Sequence, residues 1–439
     1  MIRLVLMSLL VCGLGGCVNL YRHVDPAPEG GERQFRGIAD YLRDGQALHV
    51  FQVHGMGDHG FEGDCAAESE NLRLQSRIAS RLHYIADPAY TQEAQPIAIE
   101  ATAKAGTYSI SRFVDPSGKG GDLYFSCVTW GETGRVVKRG LLALDDDFLE
   151  LNPNEAHRAL INREAKRFVN RSFSDPVLYL GPMGGYIRRV VWKGIALSLQ
   201  DHARLAPAAK EAGVVPMAPI AQRVSGFLGR APIVIISDSL GSRIVFDALC
   251  TEGRASCGNA LRFRDAMPTP PEHVEALDAL LADRLEASVG SVYMLANQLP
   301  LLELGDLEPP APGTSLEDFI QQTTTCYGPF PPAWSDRSKA VGRRWDRVQV
   351  IAFTDPNDAL SYHLGDGFKR RCDPAGAGEA GGDPGSAAPP LELINVTLPN
   401  ARLRWLFVYS DLGKAHSSGF KRNDRAIDYL VRGNHPAGR

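Results

Sequence analysis

Ala231-Pro-Ile-Val-Ile-Ile-Ser237-Asp238-Ser239-Leu240-Gly241 is an apolar, β-branched run that breaks into Ser-x-Ser-x-Gly, and Ser242-Arg-Ile-Val-Phe-Asp-Ala-Leu249 continues it with a helical pattern. A strand, a turn of small residues and a helix in immediate succession hold one serine at the tip of the turn. The backbone there is strained, and the serine lies beside the first N–H groups of the helix. That serine is Ser239, a candidate nucleophile. Gly241 and Ser237 are small enough to let the turn close, although Ser237 stands where such turns usually carry glycine.

Outward from this turn, strand-like and helix-like segments alternate. Strands are expected at 47–53, 97–102, 107–114, 123–130, 291–297, 347–353 and 393–398, and helices at 68–85, 187–205, 242–250, 271–287 and 423–432. This alternation predicts an α/β fold, with a mostly parallel central sheet and helices on both faces. Residues 133–185 break the rhythm: two helical patterns, 135–144 and 155–173, are joined by Asp145-Asp146-Asp147, which reads as a helical cap or lid insertion. A Pro-rich excursion covers 299–345, and the Gly/Ala/Pro-rich 373–390 reads as a mobile loop. The main domain is therefore expected over 46–439.

A serine hydroxyl needs a base, an acid to orient the base, and donors for the developing oxyanion. His416, in Asp411-Leu-Gly-Lys-Ala-His416, follows the last expected strand and is the expected base, with His363 as second choice. Asp358, in Asp355-Pro-Asn-Asp358 after the strand at 347–353, is the expected acid. Asp355 is chemically equivalent, and its blander role is to cap the Pro-Asn turn. The oxyanion donors would be two backbone N–H groups: that of Leu240, after the nucleophile, and that of Met56, in His54-Gly55-Met56-Gly57 after the first strong strand. His49, His54 and His59 lie near the first strand, but no acidic ligand pattern accompanies them and no Cys/His metal spacing occurs. Neither a metal nor a cofactor is expected.

His54-Gly-Met-Gly57, Ser237-x-Ser239-x-Gly241, the Asp355–Asp358 loop and Ala415-His416-Ser417 occur in the order nucleophile, acid, histidine. In this the chain resembles the α/β-hydrolase superfamily, from about residue 48 to 430. The resemblance implies that fold, with Ser239 as nucleophile, Asp358 as acid, His416 as base, and Met56 and Leu240 at the oxyanion hole. It also implies hydrolysis of a carboxylic ester or thioester through an acyl-enzyme. An amidase or acyltransferase would use the same residues, and a non-catalytic envelope protein using the fold as a binding scaffold is the alternative from a different class.

The N-terminus reads as targeting rather than fold. Arg3 precedes the apolar run 4–14, which is too short to span a bilayer as a helix and ends in Leu14-Gly15-Gly16-Cys17. This resembles a bacterial lipobox, which implies a signal peptide at 1–16 and lipidation of Cys17, followed by a tether over 17–45. Membrane attachment through that anchor is the expected partner contact. Val18, where an aspartate would hint at inner-membrane retention, leans toward the outer membrane facing the periplasm. Acyl anchoring makes a small-molecule or lipid ester a reasonable substrate class. Six further cysteines permit disulfides in an exported chain, in 15 pairings. A net charge of −4 with dispersed charges gives no footprint for nucleic acid.

Overall fold

The protein is described from a computed structural model, which defines residues 27–28, 34–43, 45–56, 65–66, 69–99, 102–150, 166, 168–205, 220–229, 231–249, 288–306, 312–315, 348–356, 358, 360–364, 391–398, 416 and 419–434. Its strands are β1 (Ala27–Pro28), β2 (Leu48–Val53), β3 (Ile85–Ala86), β4 (Gln92–Ile99), β5 (Thr102–Val114), β6 (Leu123–Thr129), β7 (Ile233–Asp238), β8 (Val289–Leu295), β9 (Val348–Thr354) and β10 (Leu391–Thr397). Its helices are α1 (Ile38–Leu42), α2 (Glu70–Arg81), α3 (Gly131–Glu150), a π-helical turn (Val169–Phe173), α4 (Ser174–Leu180), α5 (Met183–Leu205), α6 (Ile220–Leu228), α7 (Leu240–Leu249), α8 (Leu299–Glu303) and α9 (Asp424–Arg432).

The strands form a ten-stranded mixed sheet in the order β1-β10-β9-β8-β7-β2-β6-β5-β3, with β4 also paired to β5. The six from β10 to β6 are parallel. Strands β2, β6, β7, β8 and β9 are buried along their whole length, as expected of parallel strands covered on both faces. Alternation along β2 shows the two faces. Phe51 and Val53 pack with α5, α6 and α7, whereas Leu48 and Val50 pack with α1, α2 and α9. Each fully buried aliphatic side chain contributes about 1.5–3 kcal/mol of transfer free energy, so the two clusters dominate the fold.

From β2 the chain runs to the far edge at β3 and β4, returns inward through β5 to β6 beside β2, then crosses to place β7 on the other side of β2. Between β2 and β7 the strand order therefore reverses, the kind of switch point at which open α/β sheets place their sites. Ser239 follows β7 and His54-Gly55-Met56 follows β2, so both lie at this switch point.

Two expectations need correction. Residues 34–43, within the segment read as a tether, belong to the core: Phe35, Ile38, Tyr41 and Leu42 are buried, and the Tyr41 hydroxyl is 2.6 Å from Ser291 Oγ. Ala27–Pro28 adds an antiparallel edge strand to β10. The strand expected at 97–102 begins at Gln92 and forms, with β5 and β3, an antiparallel extension beyond β6. The helix expected at 187–205 is α5, and the start of α3 is tied to the sheet. Thr133 Oγ1 donates to the Ala105 carbonyl at 2.7 Å, and from Ile187 to Ala203 α5 packs its buried side chains into the core. The expected helix at 271–287, the loop at 373–390 and Cys17 lie outside the described residues.

Two helix ends show local sequence control. Ser69 Oγ accepts from Leu72 N at 3.3 Å at the start of α2, and Asn423 Oδ1 accepts from Arg425 N at 3.0 Å and Ala426 N at 3.4 Å at the start of α9.

Candidate active site

Ser239 is a non-glycine residue at φ 54°, in the left-handed region. That conformation costs on the order of 1–3 kcal/mol and persists only where the surroundings over-determine it. Here they do: Ser239 N donates to the Leu295 carbonyl at 2.7 Å, and Ser242 N donates to the Ser239 carbonyl at 3.0 Å. The turn is also closed by contact between main chains. A Cβ on Gly241 would sit 2.5 Å from the His54 carbonyl oxygen, and one on Gly55 would sit 2.4 Å from that of Asp238. Ser237 fits because its hydroxyl is accommodated, lying 3.0 Å from Ser242 Oγ and donating to the Tyr293 carbonyl at 3.3 Å.

The three side chains chosen for nucleophile, base and acid come together although they are far apart in sequence. His416 Nε2 is 2.5 Å from Ser239 Oγ, and His416 Nδ1 is 2.6 Å from Asp358 Oδ2. A carboxylate facing Nδ1 sets the tautomer: Nδ1–H donates to Asp358, leaving the Nε2 lone pair to accept the serine proton. Asp358 is itself fixed, because its N–H donates to the Asp355 carbonyl at 3.0 Å and its Oδ1 accepts from Leu360 N at 2.9 Å. Asp355 thus opens the turn that presents Asp358, and its own N–H donates to Ser361 Oγ at 3.3 Å. His363 is exposed, with Nε2 3.1 Å from Thr397 Oγ1 at the end of β10.

Leu240 opens α7 directly after Ser239, where the first N–H groups of the helix favour negative charge. Met56 lies three residues beyond β2 and is buried. His49 stacks on Tyr124 and meets Phe227 edge-on, well back along β2, and His59 lies outside the described residues. Among the described residues, no group of three or more His, Cys, Asp or Glu is placed to hold a metal ion. No described helix is long and apolar enough to cross a membrane.

Two participants were missed by reading the sequence. Lys421 Nζ pairs with Asp238 Oδ2 at 2.5 Å, both nearly buried, and so ties the Ser239 turn to the segment that carries His416. The side-chain amide of Gln298 places Nε2 3.1 Å from His416 Nε2 and 3.6 Å from Met56 Sδ. Gln298 lies just past the strand expected at 291–297, and following the end of that strand as the others were followed would have reached it. Cys65 and Cys127 form a disulfide, which fastens Cys65 to β6.

No family model matches the chain, and searches of curated proteins and of solved structures return no match.

Proposed function

We propose that the protein is a serine hydrolase of the α/β-hydrolase type, cleaving a carboxylic ester or thioester through an acyl-enzyme on Ser239. The observation that carries this reading is the continuous buried chain Ser239 Oγ, His416 Nε2, His416 Nδ1, Asp358 Oδ2, with links of 2.5 and 2.6 Å. In the first half-reaction His416 takes the serine proton as Oγ attacks the carbonyl carbon, and Asp358 stabilises the resulting imidazolium. The oxyanion develops beside the N-terminus of α7, where the N–H groups of Leu240 and Met56 are its donors. His416 then protonates the leaving group, and water reverses the sequence.

The strand order supports the fold assignment. The nucleophile strand β7 lies between β2, which leads to Met56, and β8, while the acid follows β9 and the base follows β10. A helical cap over 133–185 is part of this reading, and it fits the exposed apolar side chains of that segment: Val136 is 59 % exposed, Leu141 80 % and Val177 69 %. Exposed apolar side chains of this kind suit acyl-chain or lipid esters. The Cys65–Cys127 disulfide suits an oxidising compartment, in keeping with lipid anchoring at Cys17 in the bacterial envelope, toward the periplasm.

A fluorophosphonate probe tests the proposal. Labelling that is lost in Ser239→Ala supports it. Absence of labelling in the folded wild-type protein overturns it and leaves the binding-scaffold reading.

A further inference from the structure

Gln298 has no evident structural reason to be a glutamine. It stands at the N-cap of α8, yet its side chain makes no cap bond, and Leu299 N–H is taken instead by Asn297 Oδ1 at 3.1 Å. Its position is nonetheless tightly fixed. Ala296, two residues earlier, is a second non-glycine residue at positive φ, 53°, with its N–H donating to the Phe353 carbonyl at 3.1 Å. The Asn297 carbonyl accepts from Tyr362 N at 2.9 Å, and its Nδ2 donates to the Tyr362 carbonyl at 3.1 Å. Ser239 and Ala296 are held in the same unusual conformation at the ends of neighbouring strands, joined by the bond from Ser239 N to the Leu295 carbonyl. Strain of this kind gathers where side chains must be aimed.

What is aimed is an amide with an unspent acceptor. Gln298 is 1 % exposed, and its Oε1 is buried without a hydrogen-bond partner among the described residues. A buried acceptor left unmatched is costly, so it calls for a partner. Its Nε2, on the same carbon, is 3.1 Å from His416 Nε2, so Oε1 borders the position of any molecule hydrogen-bonded to that nitrogen. We infer that Gln298 Oε1 holds the hydrolytic water of deacylation, an inference that rests on the acyl-enzyme reading above. Water attacking the acyl-enzyme has two protons. One passes to His416 Nε2 as the water oxygen bonds to the carbonyl carbon, and the other remains on that oxygen, donated to Gln298 Oε1. Collapse breaks the bond from carbon to Ser239 Oγ, His416 returns its proton to Oγ, and the carboxylic acid leaves. An alcohol spends its only hydroxyl proton on His416 and leaves Oε1 unmatched, so the same residue favours hydrolysis over acyl transfer.

The test is pre-steady-state turnover of 4-nitrophenyl butyrate by the full chain, in the wild type, Gln298→Met and Gln298→Glu, with the acyl-enzyme on Ser239 followed by intact mass. Gln298→Met, which keeps the volume and loses the acceptor, should slow deacylation at least tenfold more than acylation, so that the acylated protein accumulates. With methanol added, it should also raise the ratio of methyl ester to acid. Gln298→Glu, which keeps an acceptor, should restore deacylation and shift its pH profile upward by placing a negative charge beside His416. Equal loss in both steps in Gln298→Met, or no loss in either, overturns the inference about Gln298 and leaves the hydrolase reading standing. A wild type that releases nitrophenol without forming an acyl-Ser239 intermediate overturns both.

Discussion

His416 and His49 are equally buried, at 2 % exposure each, and they are held in opposite ways. His416 has a hydrogen-bonding group at both ring nitrogens, a carboxylate on one side and a hydroxyl on the other. His49 has no hydrogen-bond partner at either nitrogen among the described residues. It is held by rings: Tyr124 stacked at 5.3 Å, Phe227 edge-on at 4.7 Å and His202 at 6.5 Å. Burial depresses its pKa to about 3, so it stays neutral and serves as an aromatic filler on the core face of β2. Burial alone therefore does not tell the two apart; the ordered partners on both nitrogens of His416 do.

The largest effect expected from this contrast is at Ser239. Ser239→Ala should lower turnover of an activated ester by about 10⁴–10⁶ while leaving the unfolding midpoint nearly unchanged. A residual rate within tenfold of wild type would show that the wiring of His416 serves something other than serine catalysis. Asp358→Asn comes next, with a loss of roughly 10³–10⁴ expected because the imidazole would be left in the wrong tautomer. Asp358→Glu, assayed alongside, should recover part of that loss.

The Cys65–Cys127 bridge closes a separation of 62 residues, and replacing both cysteines with alanine should cost about 2–4 kcal/mol in urea unfolding. It should also reduce kcat, since Cys65, which follows Met56 closely in sequence, loses its link to β6. The smallest effect belongs to the other histidine. Below its ordinary pKa of 6.5 the unfolded chain takes up a proton that folded His49 refuses. This contribution is complete above about pH 6.5 and is lost as pH falls toward about 3, with about 2 kcal/mol already gone at pH 5. His49→Phe should therefore flatten the acid limb of stability without altering kcat at neutral pH. His202, lowered in the same direction by burial first and by His49 second, should retain part of the slope. An unchanged acid limb would remove His49 from the account.

Most of the parallel sheet was legible because its strands are short, predominantly apolar runs rich in β-branched and aromatic residues and covered on both faces, a pattern that local sequence preserves. The places of Ser239, Asp358 and His416 were legible for a related reason: each follows the end of such a strand, and that is where a doubly covered sheet leaves side chains free to meet. The antiparallel extension was less so, since half-exposed β4 alternates with many polar residues. Phe35, Ile38, Tyr41 and Leu42 were hidden by the prolines and glycines around them, although their spacing is that of one helix face. Lys421, Gln298 and the pairing of Cys65 with Cys127 depend on contacts between distant segments, which no local pattern encodes.

The main-chain contact at Gly55 and Gly241 sets the tolerance of this site to variation. In a library of all single substitutions scored separately for abundance and for turnover, Ser239 should fail only the second screen. The two glycines should fail both, because any side chain must first push two backbones apart. The difference between the two scores would then map, residue by residue, where the molecule stops being architecture and starts being chemistry.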